Sequence, residues 1–313
     1  EGKFEPVKYK VGFAKLYENA TQKSDDETLY YASVDLTPVK DARVGLNLYY
    51  LVDDTNKNWP IPAGQQPGKS VLPYANTMKV WMPGVDAAFK AGPATLTGFF
   101  MYQFGKFEAI NRGTQDNCDV DVRAFMADLR ADMNVGPGKA FLEGLYLSGG
   151  SDPTTKYKSP ITLSTTNASP GGNSAYSRNN SYLLMSNPDT INVSQCLIGC
   201  SGGVSGQDPG NGGRGLWLIA AGYSQKLTDK LTGQANVNYM SATKLTDADK
   251  AANSHRKEDM ATEVNARIDY NLYKGLDVGL TGAYAWLGAF YKNTAGQDAK
   301  DIYTTVARIN YSF

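Results

Sequence analysis

Met260-Ala261-Thr262-Glu263-Val264-Asn265-Ala266-Arg267-Ile268-Asp269-Tyr270-Asn271-Leu272 sorts cleanly by parity. Met260, Thr262, Val264, Ala266, Ile268, Tyr270 and Leu272 form one set, and Ala261, Glu263, Asn265, Arg267, Asp269 and Asn271 form the other. A helix would scatter Glu263, Arg267 and Asp269 around its axis, whereas an extended strand puts all three on one side. The stretch reads as a strand with one apolar and one polar face.

The same sorting recurs outward from it. Val44, Leu46, Leu48, Tyr50 and Val52 alternate with Arg43, Asn47 and Tyr49, and Tyr30, Ala32, Val34 and Leu36 oppose Ser33 and Asp35. Ala235, Val237 and Tyr239 oppose Gln234, Asn236 and Asn238. Tyr303, Thr305, Ala307, Ile309, Tyr311 and Phe313 alternate with Thr304, Val306, Arg308, Asn310 and Ser312. Weaker copies occupy 6–18, 78–91, 94–104, 121–133, 139–149, 215–226 and 276–291. The pattern predicts about twelve strands of roughly 10–14 residues, long enough for tilted strands to cross a bilayer.

The connections alternate between short and long. Short ones fall at 37–41, 91–93, 135–138, 227–230 and 273–275, and long ones at 19–27, 53–77, 105–119, 150–214, 244–258 and 292–301. Short turns at one rim and long polar loops at the other are the layout of a transmembrane barrel, whereas a soluble sandwich mixes its loop lengths. The expected fold is all-β: one closed antiparallel barrel domain over 1–313, with short periplasmic turns and long extracellular loops, chiefly 53–77 and 150–214. An added hairpin within 180–199, using Tyr182, Leu183, Leu184, Ile191 and Val193, would make about fourteen strands, and strands preceding Glu1 would make about sixteen. The chain opens at Glu1 without a signal-peptide pattern, so either an export signal has been removed or the sequence begins within a longer protein.

Ile302-Tyr303-Thr304-Thr305-Val306-Ala307-Arg308-Ile309-Asn310-Tyr311-Ser312-Phe313 resembles the closing strand of bacterial outer-membrane porins. In that family a terminal aromatic with alternating apolar residues upstream is the signal read by the barrel assembly machinery. The resemblance assigns that role to Phe313, Tyr311 and Ile309, with Tyr303 at a matching position. It implies an outer-membrane location, contact with outer-membrane lipid, passage of small polar solutes or ions, and assembly into a homo-oligomer such as a trimer.

Barrel interiors are polar, so the alternation nominates the residues facing the lumen. These are Lys8, Lys10, Asp35, Arg43, Asp86, Lys90, Asp128, Arg130, Asp132, Glu143, Glu263, Arg267, Asp269 and Arg308. Both signs are present, which fits a transverse field across a pore and equally fits pairs that brace the wall. A bore of about twelve strands lies between a filled barrel and a wide channel, so the 150–214 segment could narrow it or could cap it from outside. Tyr17, Tyr50, Tyr102, Tyr284, Trp286, Tyr303 and Tyr311 fall near strand ends, where aromatic girdles sit at headgroup level.

Composition sets the exclusions. Thirty-one basic and 31 acidic residues cancel, which leaves no electrostatic footprint for nucleic acid. Of Cys118, Cys196 and Cys200, all in stretches read as loops, Cys196 and Cys200 could close a small disulfide in an oxidising compartment. A zinc site is disfavoured because no second Cys/His pair stands at ligand spacing. Asp247/Asp249 and Asp116/Asp119 lack the spacing of a calcium loop and read as solvated loop charge, and Gly210 to Gly215 lacks the strand–helix context of a phosphate cradle. No cofactor is expected. His255, the one histidine, sits beside Ser254 without an orienting partner, so an outer-membrane barrel hydrolase is the weakest reading and no catalytic residue is assigned. The expected function is passive diffusion of small polar solutes. Its rival is a barrel that serves as a scaffold or docking sleeve for another protein.

Overall fold

A computed structural model describes residues 1–18, 26–54, 77–112, 115–152, 156–161, 181–184, 211 and 213–312. Its strands are β1 (Gly2–Phe4), β2 (Val7–Glu18), β3 (Asp26–Val39), β4 (Ala42–Asp53), β5 (Thr77–Ala91), β6 (Ala94–Arg112) and β7 (Gln115–Val135). They continue as β8 (Gly138–Leu147), β9 (Lys156–Tyr157), β10 (Leu216–Lys226), β11 (Leu231–Ala242), β12 (Asp259–Tyr273), β13 (Leu276–Leu287) and β14 (Ile302–Tyr311). Each strand pairs antiparallel with the next in one continuous sheet, except that the short β9 lies parallel beside β7 and β8 pairs directly with β10.

Hairpin chemistry explains the register. Two-residue turns at Lys40–Asp41, Gly92–Pro93, Gly136–Pro137 and Lys274–Gly275 join consecutive strands. Asp41, Gly92, Gly136 and Gly275 take positive φ, which matches the right-handed twist of the flanking strands. In the two Gly-Pro turns the glycine supplies the left-handed position and the proline supplies the fixed φ after it.

The sheet departs from the sequence expectations in several places. Among the described residues it has fourteen strands, twelve of them long and matching the expected set. The other two are the stubs β1 and β9; the alternative hairpin within 180–199 falls mostly outside the described residues. The sheet is also not closed: its order runs from β1 to β14, and among the described residues no ladder joins the two ends. Closure depends on contacts between strands remote in sequence, and local alternation carries no information about them.

The expected loop at 105–119 is instead the top of a long hairpin, because β6 runs to Arg112 and β7 starts at Gln115. Lys106 pairs with Asp119 at 3.2 Å there, and Cys118 lies in β7 rather than in a loop. Strand β13 stops at Leu287, before a 3-10 turn at Ala289–Tyr291, and the 244–258 connection contains a short helix, α1 (Asp247–Ala252). No described helix is long and apolar enough to cross a membrane.

Burial is inverted relative to a water-soluble sheet. On β12 Glu263 is at 0% and Asn265 at 5% exposure, while Ile268 on the apolar set is 47% exposed; Met260 departs from that set, because a bulge opposite Met240 and Ser241 turns it into the inner cluster. The same parity holds elsewhere: Val11 and Phe13 on β2, Leu46 and Leu48 on β4, Leu129 on β7 and Leu142 on β8 all face outward. A contiguous apolar surface of this extent is not sustained in water, where each large side chain left exposed forgoes about 1.5–3 kcal/mol.

Aromatic residues gather on this outer face at one height. Trp81 stands ten residues from the short turn after Ala91, Trp217 nine from Lys226, and Trp286 ten from Leu276. Tyr30, Tyr50, Tyr102, Phe125, Tyr146, Tyr239 and Tyr284 fall at corresponding positions. Neighbours touch along the belt, with Tyr50 on Trp81 at 4.2 Å, Phe125 on Tyr146 at 5.4 Å and Trp217 on Tyr239 at 5.1 Å between ring centroids. Beyond the belt, outward positions on the β6–β7 hairpin turn polar, as Lys106, Asp121 and Arg123.

Candidate functional site

Every charged residue nominated from the alternation lies on the inward parity of its strand, opposite the apolar face. The sheet register groups them. Arg43 on β4 bridges Asp35 on β3 and Asp86 on β5, and Asn47 donates to Asp86 at 2.8 Å. Lys8 stands directly opposite Asp35 on the adjacent strand, and Lys10 pairs with Glu1 at 3.6 Å. Lys8, Lys10 and Lys90 are exposed, near the short-turn rim.

A second group is more deeply set. Arg130 on β7 donates from Nε and Nη2 to Asp132 at 2.8–3.0 Å, and from Nη1 to Glu143 on β8 at 2.8 Å. Its guanidinium carbon lies 4.0 Å from the centre of the Phe141 ring. The planar fork suits two carboxylates at once, and the ring covers the face that makes no hydrogen bonds. Asp128 is buried on the same face. A third group joins Arg267 on β12 and Arg308 on β14 to Asp269, at 2.6 and 3.0 Å. The nominated charges thus stand in mixed-sign groups on the wall rather than as separate acidic and basic sides.

Glu263 differs from the expectation of a solvent-lining residue. It is fully covered by Ser181–Leu184, a stretch of the long connection between β8 and β10. Its carboxylate accepts from Ser181 Oγ at 2.7 Å, from the backbone N–H groups of Tyr182, Leu183 and Leu184 at 2.7, 2.9 and 2.9 Å, and from Asn265 Nδ2 at 2.7 Å. Tyr182, Leu183 and Leu184 then pack with Leu145, Leu218, Met240 and Ala285 in one apolar cluster on the inner face. Asn238, directly across from Glu263 on β11, is buried with neither side-chain amide atom hydrogen-bonded.

At the long-connection rim Asp247 is exposed, as expected, but a buried ionic knot replaces the solvated charge expected of Asp249. Asp249 of α1 accepts from Arg214 Nε and Nη2 at 2.7 and 2.6 Å, from Arg256 Nη1 at 2.6 Å and from Thr246 at the helix N-cap. Burial pushes this carboxyl up, but the hydrogen bonds and charge of Arg214, with those of Thr246, prevail and hold it at about 2. Burial also raises the Tyr291 hydroxyl, against the opposing pull of Arg214 and Arg256. Asn211, Gly213 and Arg214 lie in a turn before β10, in which the Arg214 N–H donates to Asn211 O at 3.3 Å.

Several expectations fall on undescribed parts. Cys196, Cys200 and Phe313 lie outside the described residues, as does the side chain of Tyr17. Ile309 and Tyr311 are exposed on the outward face of β14. His255 and Ser254 are exposed beyond α1. No group of His, Cys, Asp and Glu suited to a metal ion occurs among the described residues.

The sequence matches no protein-family model, and no curated protein resembles it in sequence. Solved structures with a similar chain path include the outer membrane channel DcaP of Acinetobacter baumannii, with a TM-score of 0.49, 13% identity and coverage of 97% of this chain and 71% of that one. OccAB4 of the same organism has a TM-score of 0.47, 12% identity and coverage of 97% and 61%. The outer membrane protein OprD from Pseudomonas aeruginosa has a TM-score of 0.43, 12% identity and coverage of 99% and 66%. This chain spans about two thirds of the length of those proteins.

Proposed function

We propose that the chain is a single β-barrel domain of a bacterial outer membrane, and that its polar inner face conducts small polar solutes or ions by passive diffusion. The observation that carries this reading is the inverted burial, with Val264, Ile268 and Tyr270 facing outward while Glu263, Asn265 and Arg130 face in. The aromatic belt supports it. From the row of Trp286 down to Tyr270, eight residues span about 26 Å along the strand, or about 20 Å of height at a ~40° tilt, close to the apolar band of outer-membrane barrels. Hydrocarbon tolerates no unpaired strand edge, so in the bilayer the edges of β2 and β14 pair with each other or with further strands.

Single-channel recording in planar bilayers tests the function. Discrete conductance steps, with an ion preference that shifts toward cations in Arg130→Glu, are the expected result. A folded protein that inserts but stays silent refutes passive transport and favours the docking-sleeve reading.

A further inference from the structure

The long connection between β8 and β10 returns to the inner face at two places, by different chemistry. At the first, Ile161 N–H donates to Gln103 Oε1 and Gln103 Nε2 donates to Ile161 O, both at 2.7 Å, with Gln103 fully buried on β6. Tyr157 stands edge-on to Phe107 beside it, at 5.6 Å between ring centres. At the second, the Glu263 carboxylate on β12 gathers three consecutive N–H groups and the Ser181 hydroxyl. Strands β7, β8, β10 and β11 lie between these anchors, so the connection is fastened on both sides of the polar face.

Glu263 stands ten residues from Tyr273 at the short turn, which is the height of the aromatic belt and thus the mouth on the long-connection side. Resting on the channel reading above, we propose that Glu263 is the positioning residue that holds Ser181–Leu184 over the inner wall and so sets the bore at this mouth. The chemistry demands a carboxylate. Oε2 receives three donors and Oε1 receives two. An amide keeps one oxygen and places an NH2 where the other stood, so either flip turns a donor toward at least two donors. Glu263→Gln therefore undoes the contact while conserving shape.

The test uses Leu183→Cys in a full-length background in which Cys118, Cys196 and Cys200 are Ser. Labelling by a charged, membrane-impermeant maleimide is followed beside single-channel conductance. With Glu263 intact the thiol is protected. In Glu263→Gln, labelling accelerates about tenfold or more, as expected when buried donors lose their acceptor, and conductance rises. If that variant fails to fold, Leu184→Pro, which deletes one of the three N–H donors, serves the same purpose from the other side of the contact. Labelling in a folded variant at the rate of the Glu263 protein overturns the proposal. A silent wild type would sink the channel reading alone, because the labelling result stands without conduction. Faster labelling with unchanged conductance in a conducting protein also overturns it, since the segment then does not set the bore.

Discussion

Placing an arginine at Ala266 asks whether the outward face meets hydrocarbon. Ala266 lies on the apolar face of β12, four residues below Thr262, which pairs with Trp286 of the belt, and four above Tyr270. At about 3.3 Å per residue and a ~40° tilt it sits roughly 10 Å from either level, at the middle of the apolar band. Its cross-strand neighbours are Ala235 and Gly282, and a Cβ added at Gly282 would meet nothing within 4 Å, so a larger side chain has room. The cost of Ala266→Arg is then electrostatic, about 2–4 kcal/mol at the bilayer midplane, against about 0–1 kcal/mol for Thr262→Arg near the interface. Reversible urea titration of the protein folded into phosphocholine vesicles, read by the gel-mobility difference between folded and unfolded chains, measures both. An exposed surface in water would absorb either change within about 0.5 kcal/mol. If Ala266→Arg falls in that range and matches Thr262→Arg, the face does not contact lipid, and the transport reading goes with it.

The rim knot carries its own expectations. Asp249→Ala strands Arg214, buried at a side-chain exposure of 6%, and should destabilise the protein by about 3–5 kcal/mol, with the loss recovered in part by adding Arg214→Met. Because the Asp249 carboxyl is held at about 2, below its unfolded value near 3.9, its contribution of about 2 kcal/mol is present above pH ~4 and is lost as pH falls toward 2. Thermal melts of wild type and Asp249→Asn across that range should converge at the acid end, and parallel curves would refute the assignment. Gly275 has φ 83° and an added Cβ would lie 2.3 Å from Ser312 O, so Gly275→Val should slow folding and lower stability by at least about 1 kcal/mol in the same titration. No change would mean that the β12–β13 turn is not formed as described.

What was legible in the sequence was local. Parity along 262–272 marked which side of β12 faces out, while Met260 escaped it at a bulge, and Gly-Pro at 92–93 and 136–137 marked two of the tight turns. Lys106, Glu108 and Asp119 misled because the β6–β7 hairpin rises above the apolar band, where outward positions turn polar while Phe107, Val120 and Val122 are buried on the other face. The role of Glu263 was hidden for a different reason. Its partners lie some 80 residues away in a segment rich in Ser and Asn, and nothing in period-two spacing distinguishes a carboxylate facing water from one covered by backbone N–H groups. A clue was present in Ser181-Tyr182-Leu183-Leu184, an apolar run in an otherwise polar connection. Arg214 and Asp249 likewise meet only in three dimensions, 35 residues apart.

Trp81, Trp217 and Trp286 each stand nine or ten residues from the short turn that ends their strand. With Trp59 replaced by Phe, the remaining indoles become three gauges set at one height on three separate strands. Brominated lipids carrying the heavy atom at successive acyl positions should quench all three most strongly at a single shallow position, and a lean of the whole protein in the bilayer would spread that maximum into several.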